Sequence, residues 1–146
     1  MWIMLPMLGL TSPFASAECH GSRESNARSV ALTFQEDFFN RHELAAGWRF
    51  LSSDYRQHNP NLPEGREPFI EFFSSYFSEH PEAHASVIRS AVDGDLVYVH
   101  VLFRSAPSDR GRAVVNIYRI RGKQIVEHWD VVQPVPAESR NANTMF

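Results

Sequence analysis

The chain has 146 residues, 43% of them hydrophobic and 21% charged, which excludes disorder over most of its length, because so many apolar side chains offset the entropy of folding. At this size it reads as one domain, large enough to bury a core without a disulfide or a structural metal. With 14 basic against 17 acidic side chains and a formal net charge of -3, it lacks the basic excess that nucleic-acid and membrane-surface proteins use against phosphates, and no apolar run reaches the roughly 20 residues of a membrane span.

Residues 1–17 carry no charge and end in Ala15-Ser16-Ala17, a small-residue cleavage signature behind a short apolar stretch. They read as a signal peptide cut before Glu18, which makes the protein secreted or periplasmic. No Lys or Arg precedes the apolar stretch, a departure from the usual pattern; an uncleaved segment would instead dock on the domain of a cytoplasmic protein. Residues 18–24 read as a flexible segment. Cys19 is the only cysteine, so no intramolecular disulfide is expected.

The domain proper spans 25–146, with helical signals first. Val30, Phe34 and Phe38 recur every four residues, with Ala27 and Ala31 beside them, and define one apolar helix face. His42 to Leu51 gives a second, short helix. Asp54 to Pro60 has no period and reads as a loop. Pro68 then opens the clearest helix, with Phe69, Phe72, Phe73, Tyr76 and Phe77 at helical spacing, and Pro81 closes it. Such a stripe is core packing first, and its rings can also wall a cavity.

From His84 the pattern changes to strands. Ser86–Val92 and Leu96–Arg104 flank Asp93-Gly94-Asp95, and Arg112–Ile120 and Gln124–Gln133 flank Arg121-Gly122-Lys123, two hairpin signals. Helices followed by a four-stranded antiparallel meander imply an α+β fold, a curved sheet with helices on its concave face.

Candidate site residues are polar groups inside apolar elements. His100 interrupts Val97–Phe103, either as a satisfied core histidine or as a proton carrier. Asn116 interrupts Ala113–Tyr118 and needs partners for both ends of its amide. In Ile125–Val132, period two puts His128 and Asp130 on one face and Glu127 and Trp129 on the other. His128 and Asp130 then share a pocket, or the strand is an edge whose polar side meets solvent or a partner. Tyr55, His58 and Asn59 precede Pro60 in the loop, where site residues and turn chemistry are both common. His80 and His84 are four apart like metal ligands, but Pro81 breaks the helix between them, so no metal site is expected.

Tyr55-Arg56-Gln57-His58-Asn59-Pro60, Gly65-Arg66-Glu67, Val115-Asn116-Ile117-Tyr118-Arg119, the run from Ile125 to Pro134 and the closing Asn143-Thr144-Met145-Phe146 resemble SnoaL-like proteins. These belong to the nuclear transport factor two-like superfamily, which also holds ketosteroid isomerase. The resemblance covers residues 25–146. It implies a cone of about three helices on a strongly bent antiparallel sheet, a pocket between them, and a homodimer through the sheet. In the polyketide cyclases of this type the reaction is an aldol closure without a cofactor. By resemblance Asp130 is the acid/base, Asn59 lies at the pocket wall and Asn116 on the neighbouring strand. Many relatives of this branch carry Asp where this chain has Asn116, which cannot transfer a proton.

The register poses a problem. A two-residue turn at Gly122-Lys123 pairs Arg121 with Gln124, so Asn116 faces Trp129 and Asp130 falls on the opposite face. A β-bulge near 128–130 would bring both into the pocket; without one, either Asn116 with Trp129 or His128 with Asp130 lines it. The expectation is an exported, cofactor-free enzyme acting on a small, largely apolar carbonyl compound. Asp130 is its base and His128 or His100 returns the proton. Asn59, Asn116 and Tyr55 meet the enolate oxygen, with His58 and Trp129 at the pocket. A non-catalytic ligand-binding module and a dimerisation domain of the same fold are the alternatives.

Overall fold

The computed structural model describes residues 13–146, with side chains from residue 21. Most of the expected signal peptide therefore lies outside the described residues. The first helix, α1 (Pro13–Phe34), runs through the backbone of residues 18–24, which were expected to be flexible. Its apolar face starts at Ala27 and continues through Val30, Ala31 and Phe34, all buried.

Where the four-residue spacing predicts unbroken α-helix, the chain widens into a π-helical turn, Gln35–Asn40. The wider turn keeps Phe38 in the core and also buries Gln35, and such turns recur at functional sites. Asn40 ties this turn to the sheet: its amide donates to Ala85 O at 3.2 Å, and Ala85 N donates back to its Oδ1 at 2.8 Å. Buried Asp37 is paired with Arg41 at 3.2 Å and with Arg49.

After the short helix α2 (Leu44–Phe50) comes a strand, β1 (Leu51–Gln57). This corrects the reading of residues 54–60 as loop. Ser53, Asp54 and Arg56 point to solvent while Leu51, Tyr55 and Gln57 are buried, so β1 carries too few apolar residues to show a period. Helix α3 (Arg66–Glu79) follows, then β2 (His84–Asp93), β3 (Leu96–Arg104), β4 (Arg112–Arg121) and β5 (Gln124–Pro134).

The sheet is curved and unclosed, with strand order β1-β5-β4-β3-β2. The meander from β2 to β5 is antiparallel, as the two hairpin signals predict; β1 adds a fifth strand, parallel to β5. One face of the sheet packs on the helices through Val97, Val99 and Val101 of β3, Tyr118 and Ile120 of β4 and Ile125 of β5. From the helical side Phe34, Phe38, Phe69, Phe73 and Phe77 fill the space between. The Phe38 ring is central: it stacks on Phe69 at 5.5 Å and meets Phe73 and Phe77 edge-on.

The hairpin turns pair Asp93 with Leu96 and Arg121 with Gln124. In the second hairpin the register then slips, from Ile120 opposite Ile125 to Arg119 opposite Glu127. Val126 is the extra residue. From there Tyr118 faces His128 and Asn116 faces Asp130. Of the arrangements the sequence leaves open, the bulged one is observed, with the bulge a little nearer the turn than 128–130.

Candidate functional site

The bulge gives the inner face of the sheet a polar end. Asn116, His128 and Asp130 line one side of a cavity of about 260 Å³, together with Asn59 from the segment after β1 and Gln35 from the π-turn. The rest of the wall is largely apolar, built from Phe39, Leu62, Val101 and the rings of Phe69, Phe72, Phe73, Tyr76 and Phe103. The volume is near the lower end of small-molecule sites, roughly 300–1,000 Å³. Phe72 and Val132, 40% and 43% exposed, mark its open side, where Arg112 also lies.

Asp130 is half-buried and accepts one hydrogen bond, from Asn59 Nδ2 at 2.8 Å. Burial raises its carboxyl above the ordinary aspartate range, and the Asn59 bond partly offsets the shift. The contact of the Asn59 side-chain oxygen is local: Oδ1 accepts from the backbone N–H of Asn61 at 2.8 Å, which fixes the direction of the amide.

His128 is 4% exposed and sits between two side-chain amides. Nδ1 is 3.0 Å from Gln57 Oε1, and Nε2 is 3.0 Å from Asn116 Oδ1. The ring also stacks on Tyr118 at 5.0 Å. Burial, with a smaller contribution from the charge of His58, pushes its pKa down to about 3, so the imidazole is neutral near pH 7. The Tyr118 hydroxyl accepts from Gln35 Nε2. Burial raises its pKa above the ordinary tyrosine value despite that bond.

Four expected ligand contacts lie away from the cavity wall. Tyr55 is in the core against Phe69, and its hydroxyl accepts from Gln57 Nε2 at 2.8 Å. Trp129 is on the outer face of the sheet, in phase with Glu127 as alternation requires. His58 stacks on it at 4.5 Å and reaches Glu127 at 3.4 Å. His100 alternates with buried Val99 and Val101, so it also faces outward, where it stacks on Phe146 at 5.6 Å. Conversely, Gln35, Gln57 and Arg112 belong to the site or its support without having been singled out. Gln35 had a signal, since it lies four residues after Ala31 on an apolar helix face. Gln57 has none, because a segment without an apolar period assigns it to no face. His80 and His84 do not converge: His80 caps α3 against Tyr76, while His84 opens β2. Among the described residues no three His, Cys, Asp or Glu side chains are grouped to hold a metal ion.

The model of the SnoaL-like domain matches residues 32–128. The chain belongs to this family. Asp130 lies two residues past the matched segment. Solved structures agree in fold. A SnoaL-like protein of unknown function from Burkholderia thailandensis superposes with a TM-score of 0.65 at 15% identity, covering 75% of this chain and 96% of its own. A protein named as a proposed polyketide cyclase, from Bacillus cereus, gives 0.63 at 17% identity over 73% of this chain and 74% of its own. Another so named, from Acidithiobacillus ferrooxidans, gives 0.62 at 15% identity over 86% and 91%. No curated protein matches the chain.

The buried imidazole makes stability depend on pH. Unfolded, His128 takes up a proton near pH 6.5; folded, it does so only near pH 3. In that window the unfolded state binds more protons, so stability falls as pH falls, by about 1.4 kcal/mol per unit at most from this group. Urea unfolding from pH 7 to pH 5 is expected to show a shallower loss in His128→Gln than in the parent; equal slopes would mean that the folded ring takes up its proton in the same range as the unfolded one.

Proposed function

We propose that this chain is a cofactor-independent acid–base enzyme that acts on a small, largely apolar carbonyl compound, with Asp130 as general base. One observation carries the reading: a carboxylate of raised proton affinity, held by a single hydrogen bond, at the polar end of a ring-walled cavity. The names of two structural relatives, proposed polyketide cyclases, support the reaction class.

Asp130 takes a proton from the carbon next to the carbonyl, and the electron pair moves into the carbon–carbon bond and onto oxygen as an enolate. In an aldol closure the enolate carbon then attacks a second carbonyl; in an isomerisation the proton returns to a different carbon. A carboxyl with raised pKa suits both taking and returning the proton near neutral pH. His128 and His100 are the expected groups to return it; both ring nitrogens of His128 are engaged by Gln57 and Asn116, and His100 faces outward against Phe146, so that role falls to Asp130 itself. The donors available to the enolate oxygen are the second N–H of Asn59, which makes no bond among the described residues, and the guanidinium of Arg112 at the cavity.

Deuterium exchange next to the carbonyl of 2-tetralone, followed by NMR in D₂O, tests this. The parent protein is expected to accelerate exchange, and Asp130→Asn to lose at least about 100-fold of that acceleration. Exchange as fast in the variant would remove Asp130 as base. A probe that binds without exchanging would support a non-catalytic binding module instead.

We also propose that a second copy covers the outer face of the sheet. Val131, 66% exposed, stands there opposite Val115 and near Ile117, an apolar strip that solvent alone does not favour. Sedimentation is expected to give a dimer for the parent chain and a monomer for Val131→Glu; a monomeric parent at micromolar concentration would overturn this.

A further inference from the structure

The amides around His128 settle which end of Asn116 faces the cavity. Gln57 Oε1 accepts the backbone N–H of Asn59 at 2.9 Å. A backbone N–H can only donate, so the oxygen of Gln57 must be on that side, and its nitrogen on the side of the Tyr55 hydroxyl. The same oxygen lies 3.0 Å from His128 Nδ1. Two acceptors do not face each other at that distance in a buried site, so Nδ1 carries a proton and donates. A neutral imidazole has only one N–H, and burial keeps this ring neutral. Nε2 therefore presents a lone pair.

The Asn116 carboxamide lies against that lone pair, its Oδ1 position 3.0 Å away. Oxygen there would be a second acceptor–acceptor contact, about as costly as leaving a buried group unpaired. Half a turn of the carboxamide replaces it with an N–H donor and sends the oxygen toward the cavity, beside Asp130 on the paired strand.

We propose that Gln57 and His128 act as a positioning relay that turns the Asn116 carbonyl into the cavity, and that the site selects a ligand with a hydroxyl donor there. Resting on the acid–base reading of the same cavity, this narrows the substrate class to hydroxylated or enolisable carbonyl compounds. The Asn116 oxygen accepts the hydroxyl and leaves Asp130 beside it for the carbon proton, while the donors for the carbonyl oxygen, Asn59 and Arg112, come from other elements. Asn116 is thereby a specificity determinant rather than a member of an oxyanion site.

NMR of the ¹⁵N-labelled full chain tests the relay without any ligand. At pH 7 the expected spectrum has His128 Nδ1 protonated, Nε2 unprotonated, and a scalar coupling across the hydrogen bond between Nε2 and the Asn116 amide nitrogen, which requires nitrogen to face nitrogen. A protonated Nε2 would overturn the proposal. In Gln57→Leu the ring is expected to lose its tautomer preference, and in Gln57→Glu, which keeps an acceptor, to retain it.

The ligand consequence is read by titrating 2-naphthol against 2-fluoronaphthalene, which has the same rings without the donor. The parent is expected to bind the naphthol about tenfold more tightly, and the difference to shrink severalfold in Gln57→Leu but not in Gln57→Glu. Equal binding of the two probes beside an Nδ1–H ring would overturn the donor selectivity alone. No binding of either probe would overturn it together with the reading of the cavity as a small-molecule site.

Discussion

A single extra residue, Val126, sets the phase of β5, and the arrangement of the site follows from it. The Gly122-Lys123 turn pairs Ile120 with Ile125, both facing the core. Strict alternation from there would carry Glu127 and Trp129 inward and turn His128 and Asp130 to the outer face. An inward Glu127 would take the buried place opposite Tyr118 that His128 holds, and leave a carboxylate there without a cation beside it, a cost of several kcal/mol. With the bulge, Glu127 instead meets Arg119 at 2.8 Å on the outer face, and Arg119 also holds Asp95. His128 comes inward, where Gln57 and Asn116 satisfy both of its nitrogens. Polar groups on both sides thus gain partners from one insertion.

The polar end that results has two layers. Asp130, Asn59, Asn116 and His128 line the cavity, and Gln57 and the Tyr118 ring hold His128 from behind. Gln57 is the junction: its amide meets Asn59, His128 and Tyr55 at once. It reaches them because β1 runs parallel to β5, with Gln57 beside His128. The backbone agrees, since His58 N donates to His128 O at 2.9 Å. The strand that sequence patterning misses is therefore the one that organises the site.

Much of the architecture was legible because it is periodic. The Phe stripe of α3, the apolar face of α1 and the two glycine turns each announce themselves through spacing, and together with the family resemblance they imply the helix-covered curved sheet that is observed. What was not legible is aperiodic. β1 exposes Ser53, Asp54 and Arg56, so composition alone makes it a loop. The π-turn changes the pitch of a helix whose sequence gives no sign of it, and that change buries Gln35 at the cavity. A bulge was required to bring Asn116 and Asp130 together, yet no residue in Ile125–Asp130 marks itself as the extra one. For the same reason, polarity within an apolar strand identified Asn116, His128 and Asp130 as candidates, but also His100 and Trp129, which face the other way.

The central claim is that Asp130 is a carboxylate with raised proton affinity at the polar end of an apolar cavity. The most direct measurement is a pH titration of its side-chain carboxyl by ¹³C NMR in the ligand-free protein. The structure predicts a midpoint above the ordinary aspartate value of about 3.9. A midpoint at or below that value would mean a solvated or strongly paired carboxylate, and would contradict the account.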